Sequence, residues 1–144
     1  MKNFDVIELC NAGILDITSN DLEAEDAYNV YRFKKEMRKI YKELSENEKD
    51  LFEQVKIGDP AKFDKEYKAA IEAEDNEKRA EYESKLYRLG ELRQAMISQD
   101  VNLDNIQKIS YKSWHKLQKE NSESKALKGY NEELLENVLW YSEI

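Results

Sequence analysis

Three features of the chain predict a mainly α fold built on a long antiparallel helical hairpin. A helix-like run extends from about Asp21 to Ile57 with apolar residues at spacings of three and four, the stop-and-restart signal Gly58-Asp59-Pro60 follows, and a second run continues to about Ser98. Short N- and C-terminal helices brace this hairpin, and a short strand or an extended segment is expected near 101–109. The composition agrees. Charged residues make up 38% of the chain, with one Pro and four Gly, which favours long solvated helices over sandwiches or barrels. Nine Tyr, four Phe and two Trp supply the large side chains that argue against disorder. A length of 144 residues suits a single domain, with hairpin arms at 21–57 and 60–98 and a base made of 1–20 and 99–144.

The first element runs from Phe4 to Ile17. Phe4, Ile7, Cys10, Ile14 and Ile17 fall on one helical stripe, and Asn3 can cap the start. Thr18-Ser19-Asn20-Asp21 forms a turn cluster in which Asn20 or Asp21 can accept from the first amides of the long helix, with Glu23, Glu25 and Asp26 near its positive end. The seam of that helix carries Val30, Met37, Leu44 and Leu51 on one heptad position and Phe33, Ile40, Asn47 and Gln54 on the other. It turns polar at Asn47, either to fix register or because the seam frays toward the tip.

Gly58 suits a left-handed C-cap, Asp59 an N-cap and Pro60 the first helical position, where a missing N–H costs nothing. The return arm carries Phe63, Tyr67, Ala70 and Ile71, then a polar stretch from Glu72 to Glu81, then Tyr82, Leu86, Leu89, Leu92 and Met96. Capping chemistry at Glu74-Asp75-Asn76-Glu77 fits both a short loop and a solvated turn of one continuous helix, and continuity is the expectation. The basic block Arg32, Lys34, Lys35, Arg38, Lys39, Lys42 and the acidic block at 72–83 fall opposite each other if the arms fold back at Gly58. That match would set register more than stability, since exposed pairs contribute only about 0.2–1 kcal/mol.

Beyond Asp100, Val101 and Leu103 alternate with polar residues, and Ile106 and Ile109 follow too irregularly for a helix stripe. Ser110, or Asn105, can cap a helix through Trp114 and Leu117 to about Glu120; Asn121-Ser122-Glu123-Ser124 reads as a loop. Asn131 is expected to cap a last helix carrying Leu134, Leu135, Val138, Leu139 and Tyr141, docked on the N-terminal one.

The chain offers little chemistry. A net charge of −8 opposes non-specific binding to phosphate backbones, so nucleic acid is not an expected partner. Cys10 is the single cysteine, which excludes an intramolecular disulfide and a cysteine zinc site and fits a reducing compartment. Neither a signal-peptide pattern nor a run of 18 apolar residues occurs, so a soluble chain without a membrane partner is expected. His115 has no local orienting partner for base catalysis, and Cys10 lies on an apolar stripe where a thiol behaves as a small hydrophobe. Carboxylate pairs such as Glu77 with Glu81 arise by chance among 31 acids, and the Glu-x-x-His element of di-metal bundles is missing. No phosphate loop, dinucleotide fingerprint, nucleophile elbow or zincin motif occurs. No cofactor, metal or enzymatic activity is expected.

The order of features is more telling than any motif: Asn11-Ala12-Gly13 with Leu15, Tyr28 opening a Lys/Glu-rich helix, a hairpin, Leu89 and Leu92, Val101-Asn102-Leu103, then Ile106-Gln107-Lys108-Ile109-Ser110 and a closing Leu134-Leu135. This resembles a family of small phage and prophage proteins of unknown function that pair a central helical hairpin with a V-x-x-x-x-I-x-K-I-S segment. The resemblance implies a phage-encoded accessory or virion-associated protein, in the host cytoplasm or the virion, and supplies no catalytic residues. The expected function is accordingly protein–protein contact with a phage or host protein, with a homo-oligomeric assembly component and, more remotely, a small helical-bundle enzyme with a carboxylate site as alternatives. The residues expected to carry contact are Asn47, Leu51, Phe52, Val55, Phe63 and Tyr67 around the tip and, if they are not core, Trp114 and Trp140. The basic stripe Lys35, Arg38, Lys39, Lys42, flanked by Tyr31 and Tyr41, reads first as the internal match to the acidic block.

Overall fold

The computed structural model describes residues 1–140; Tyr141, expected on the last helix, lies outside the described residues. The fold is mainly α, with helices α1 (Asn3–Asn11), α2 (Ala24–Gln54), α3 (Pro60–Glu72), α4 (Asn76–Ile97), α5 (Tyr111–Glu120) and α6 (Tyr130–Leu135). The chain divides into two compact units, unit 1 being Met1–Lys42 with Asp100–Ile144 and unit 2 being Glu43–Gln99.

Unit 1 starts with an α1 shorter than its apolar stripe suggested. Gly13 takes φ +95°, a left-handed angle that only glycine adopts cheaply, and the helix ends at Asn11. The buried face of the segment is therefore Val6, Leu9, Ile14 and Ile17, while Phe4 points to solvent at 47% exposure. The N-cap is Lys2 rather than Asn3, with the Asp5 carboxylate accepting the Lys2 backbone N–H at 2.8 Å. Val30, Phe33 and Met37 of α2 are fully buried beside Trp114 and Leu117 of α5, Leu135 of α6 and Leu139 in one apolar cluster.

Asn20 and Asp21 do not cap α2, which begins at Ala24. Their backbone N–H groups donate to the two carboxylate oxygens of Glu120 at 2.9 and 2.6 Å, and Asn121 grips Thr18 from both sides, accepting its N–H and donating to its carbonyl. The end of α5 thus fastens the turn that precedes α2. Ser110 caps α5 as expected, accepting from the Ser113 N–H at 3.1 Å. Asn131 does not cap α6: Gly129 precedes that helix, and the Asn131 amide donates to the Lys125 carbonyl instead. Of the two forms expected for the 101–109 segment, strand or extended chain, the structure has the second. The segment is tied down by isolated bridges, with the Val101 N–H on the Met1 carbonyl and the Ile109 N–H on the Leu139 carbonyl.

Unit 2 contains the end of α2 and the pair α3 and α4. Two turns have the same cause. At the end of α2 the Ile57 N–H reaches the Phe52 carbonyl and the Lys56 N–H the Glu53 carbonyl; at the end of α3 the Asp75 N–H reaches the Ala70 carbonyl and the Glu74 N–H the Ile71 carbonyl. Both are Schellman closures, and each places a non-glycine residue, Lys56 (φ 60°) or Glu74 (φ 54°), in the left-handed position. The helix closure is therefore at Lys56, and Gly58, left-handed as expected at φ 67°, follows two residues later. Asp59 and Pro60 then start α3 as expected, the Asp59 carboxylate accepting the Ala61 N–H at 3.0 Å.

The second turn corrects the expected continuity of the return arm. Asp75 caps α4 by accepting the Lys78 N–H, and α4 reverses onto α3, with Tyr82 edge-on to Phe63 and Tyr67 at 5.1 and 6.2 Å between ring centres. Register along the end of α2 follows from α4 as well: Lys85 donates to the Lys56 carbonyl, and Arg93 pairs with Glu48 and lies over the Phe52 ring. The arm that returns along α2 in this unit is therefore α4, with α3 inserted between them in sequence.

Candidate functional site

Most of the expected contact residues are structural side chains of unit 2 or unit 1. Leu51, Phe52 and Val55 pack half-buried against the cluster Ile57, Phe63 and Leu89. The Tyr67 hydroxyl donates to Glu83 at 2.9 Å, and Asn47 is exposed on α2. Trp114 and Trp140 are buried and stack at 5.2 Å with ring planes 11° apart, closing the core of unit 1. A largely apolar cleft of about 520 Å³ does exist in unit 2, where Phe52, Gly58 and Pro60 meet Ser45, Glu48, Lys49 and Glu53.

The more distinctive surface is on α2 in unit 1. Residues 28, 31, 32, 35, 38, 39 and 42 recur at spacings of three and four on the side opposite Val30, Phe33, Met37 and Leu44. One side is sealed into the core; the other carries Tyr28, Tyr31, Arg32, Lys35, Arg38, Lys39 and Lys42. Tyr28 and Tyr31 are 58% and 54% exposed and stack on each other at 6.1 Å. With Arg32, Lys35 and Glu36 they line a cleft of about 250 Å³ whose far wall is Asn102, Leu103, Asn105 and Ile106. Arg32 donates to the Asn105 carbonyl at 3.3 Å, which holds the guanidinium at the cleft and leaves its other N–H groups available. Lys34 lies off this face and donates to the Ile17 carbonyl at 2.6 Å.

Among the described residues, Arg32, Lys35, Arg38, Lys39 and Lys42 form no ion pair. The acids of 81–83 pair locally, Glu81 with Lys85 and Glu83 with Arg79. Tyr41, expected to flank the stripe, is half-buried against the unit 1 core, and Tyr28 flanks it instead. The spacing 28, 31, 35 opposite the apolar seam was the available signal; the contribution of Asn102 to Ile106 had none, because it depends on where an irregular segment is tied.

The candidates for chemistry remain apart. His115 is exposed and meets Tyr111 edge to face at 4.2 Å between ring centres. Burial pushes the Cys10 thiol up to about 11, which keeps it protonated and a poor nucleophile. Among the described residues two carboxyls are shifted from the ordinary range, both downward: Glu83, held as an anion by the Arg79 guanidinium and the Tyr67 hydroxyl, and Glu120. At Glu120 burial pushes upward, and hydrogen bonds from Thr18, Asp21 and Asn20 together outweigh it. A carboxyl acting as a proton donor needs the opposite shift. Among the described residues no three His, Cys, Asp or Glu side chains gather as a metal site, and no helix is long and apolar enough to cross a membrane.

Comparison with protein-family models, with curated proteins and with solved structures gives no match.

Proposed function

We propose that this chain is a non-enzymatic accessory protein that works through protein–protein contact, with the cation-and-tyrosine face of α2 as the docking surface for an acidic segment of a protein partner. The observation that carries this reading is the set of five cations, half-buried Arg32 and exposed Lys35, Arg38, Lys39 and Lys42, on one helix face without an ion pair among the described residues, in a chain whose net charge is −8. Opposite charge on a partner speeds encounter and fixes orientation, and the exposed Tyr28–Tyr31 pair adds the aromatic contact area that interfaces use. A short acidic segment feels mainly the charges within a Debye length, about 10 Å at 0.1 M salt. A long polyanionic backbone would meet the surplus acids of the rest of the chain, which favours a peptide segment over nucleic acid. The resemblance of feature order to small phage proteins supports a phage-type role, in the infected cytoplasm or the virion.

The test is titration of the protein with a short Asp/Glu-rich peptide at low salt, followed by residue-resolved NMR shifts. Shifts centred on Tyr28, Tyr31 and Lys35, abolished at high salt and in the variant Arg32→Glu with Lys35→Glu, are expected. An unperturbed α2 face, or tighter binding of a single-stranded oligonucleotide to the same face, would overturn the reading.

A further inference from the structure

We infer that the acidic segment seated on the cation face of α2 is the α3–α4 corner of a second copy of this chain, giving a salt-sensitive self-association. This rests on the reading of that face as a docking surface. The corner has the complementary chemistry: Glu72, Glu74, Asp75 and Glu77 fall within six residues, with Lys78 the nearest cation. None of these side chains forms an ion pair among the described residues, whereas the acids further along α4 are paired within their own helix. The backbone there is also informative. Glu74 occupies the left-handed position of the turn, where glycine would sit at lower cost, and its presence puts one more carboxylate at the tip. Each chain carries both a face and a corner, so two chains have complementary surfaces to exchange. The charged surfaces involved are small and solvated, so the association is weak, fast and lost on screening.

Sedimentation velocity of the full chain over a concentration series, at low and at high salt, reads this directly. The expected result is a concentration-dependent dimer at low salt that reverts to monomer at high salt. Two charge-reversed chains sharpen it: Lys35→Glu with Arg38→Glu and Lys39→Glu, and Glu72→Lys with Glu74→Lys and Glu77→Lys. All six positions are exposed, so circular dichroism should show both variants folded. Each variant alone is expected to be monomeric, and an equimolar mixture to form a one-to-one heterodimer. The corner-reversed chain is the decisive control, because reversal moves its net charge toward zero. Relief of general repulsion would raise its self-association, while loss of the specific contact abolishes it. A wild-type monomer at low salt, or variants that associate like wild type, overturns the inference. If the wild type is monomeric yet its α2 face still binds the acidic peptide, the docking reading stands and only the identity of the occupant falls.

Discussion

Among the described residues unit 1 closes around seventeen buried apolar side chains, whereas the buried cluster of unit 2 consists of Ile57, Phe63 and Leu89, with Leu51, Phe52, Val55 and Tyr82 packed half-buried around them. The difference in buried apolar area means that different forces decide the two structures. In unit 1 the tryptophan stack, α1 and the sealed side of α2 share one interior, and polar contacts such as Glu120 with Asn20 and Asp21 fasten its edge. Unit 2 depends more on its turns: two Schellman closures, the Asp59 and Asp75 caps, and surface pairs such as Arg93 with Glu48. Stability per residue should therefore be higher in unit 1, and local opening should begin in unit 2.

Core truncation gives the largest expected effect. Trp114→Ala removes a fully buried ring from the stack with Trp140 and should cost about 3–5 kcal/mol, while Leu89→Ala, in the thinner cluster, should fall near the lower end of the Leu→Ala range, about 2–3 kcal/mol. Denaturant midpoints measure both. Amide hydrogen exchange adds the location: Leu89→Ala should release protection across α3 and α4 while α1 and α5 keep theirs. Equal costs, or loss of protection at every helix together, would break the comparison.

Much of this contrast was legible in the sequence, and the reasons for the failures are specific. The fold class, the seam Val30-Phe33-Met37-Leu44, and the caps at Asp59 and Ser110 were readable because each depends on residues close together in the chain. The break at 73–75 was not, because its left-handed residue is Glu74 rather than glycine, so the usual marker of a Schellman turn is missing. The same disguise at Lys56 hid the helix closure two residues upstream of Gly58. At the cation face the helical half could be read from spacing, but its intramolecular match to 72–83 assumed a hairpin folding at Gly58, and the register of α4 set by Lys85 and Arg93 removed that premise. The far wall of the cleft depends on long-range ties such as Val101 to Met1, which leave no local pattern.

An intermediate effect belongs to Glu120, which tests how far unit 1 depends on a polar fastening beyond its core. Its carboxyl lies below the ordinary 4.5 in the folded chain, so it favours folding above the unfolded pKa, and that contribution is lost as pH falls through the lowered folded value. Glu120→Gln keeps the shape but removes one charged oxygen facing two backbone N–H donors, at a cost of about 1 kcal/mol near neutral pH after allowance for solvent. Wild type should lose stability more steeply than the variant as the pH is lowered below about 4.3, so the two stability curves converge in acid. Parallel curves would mean that the carboxylate charge is not what fastens the turn.

The smallest effect reverses sign. Glu74→Gly relieves the left-handed strain at the α3–α4 turn, and Lys56→Gly does the same at the end of α2; relief of up to about 1 kcal/mol is set against the greater freedom glycine gives the unfolded chain, for a net gain of several tenths in each case. Neither side chain supplies the turn's own hydrogen bonds, which are all backbone to backbone. The midpoint of unit 2 should rise and that of unit 1 stay fixed, readable as slower exchange across α3 and α4 with α1 and α5 unchanged. A destabilised Glu74→Gly chain would show that the glutamate side chain contributes to the fold at that corner, and would remove the argument that it is held there for contact with another copy.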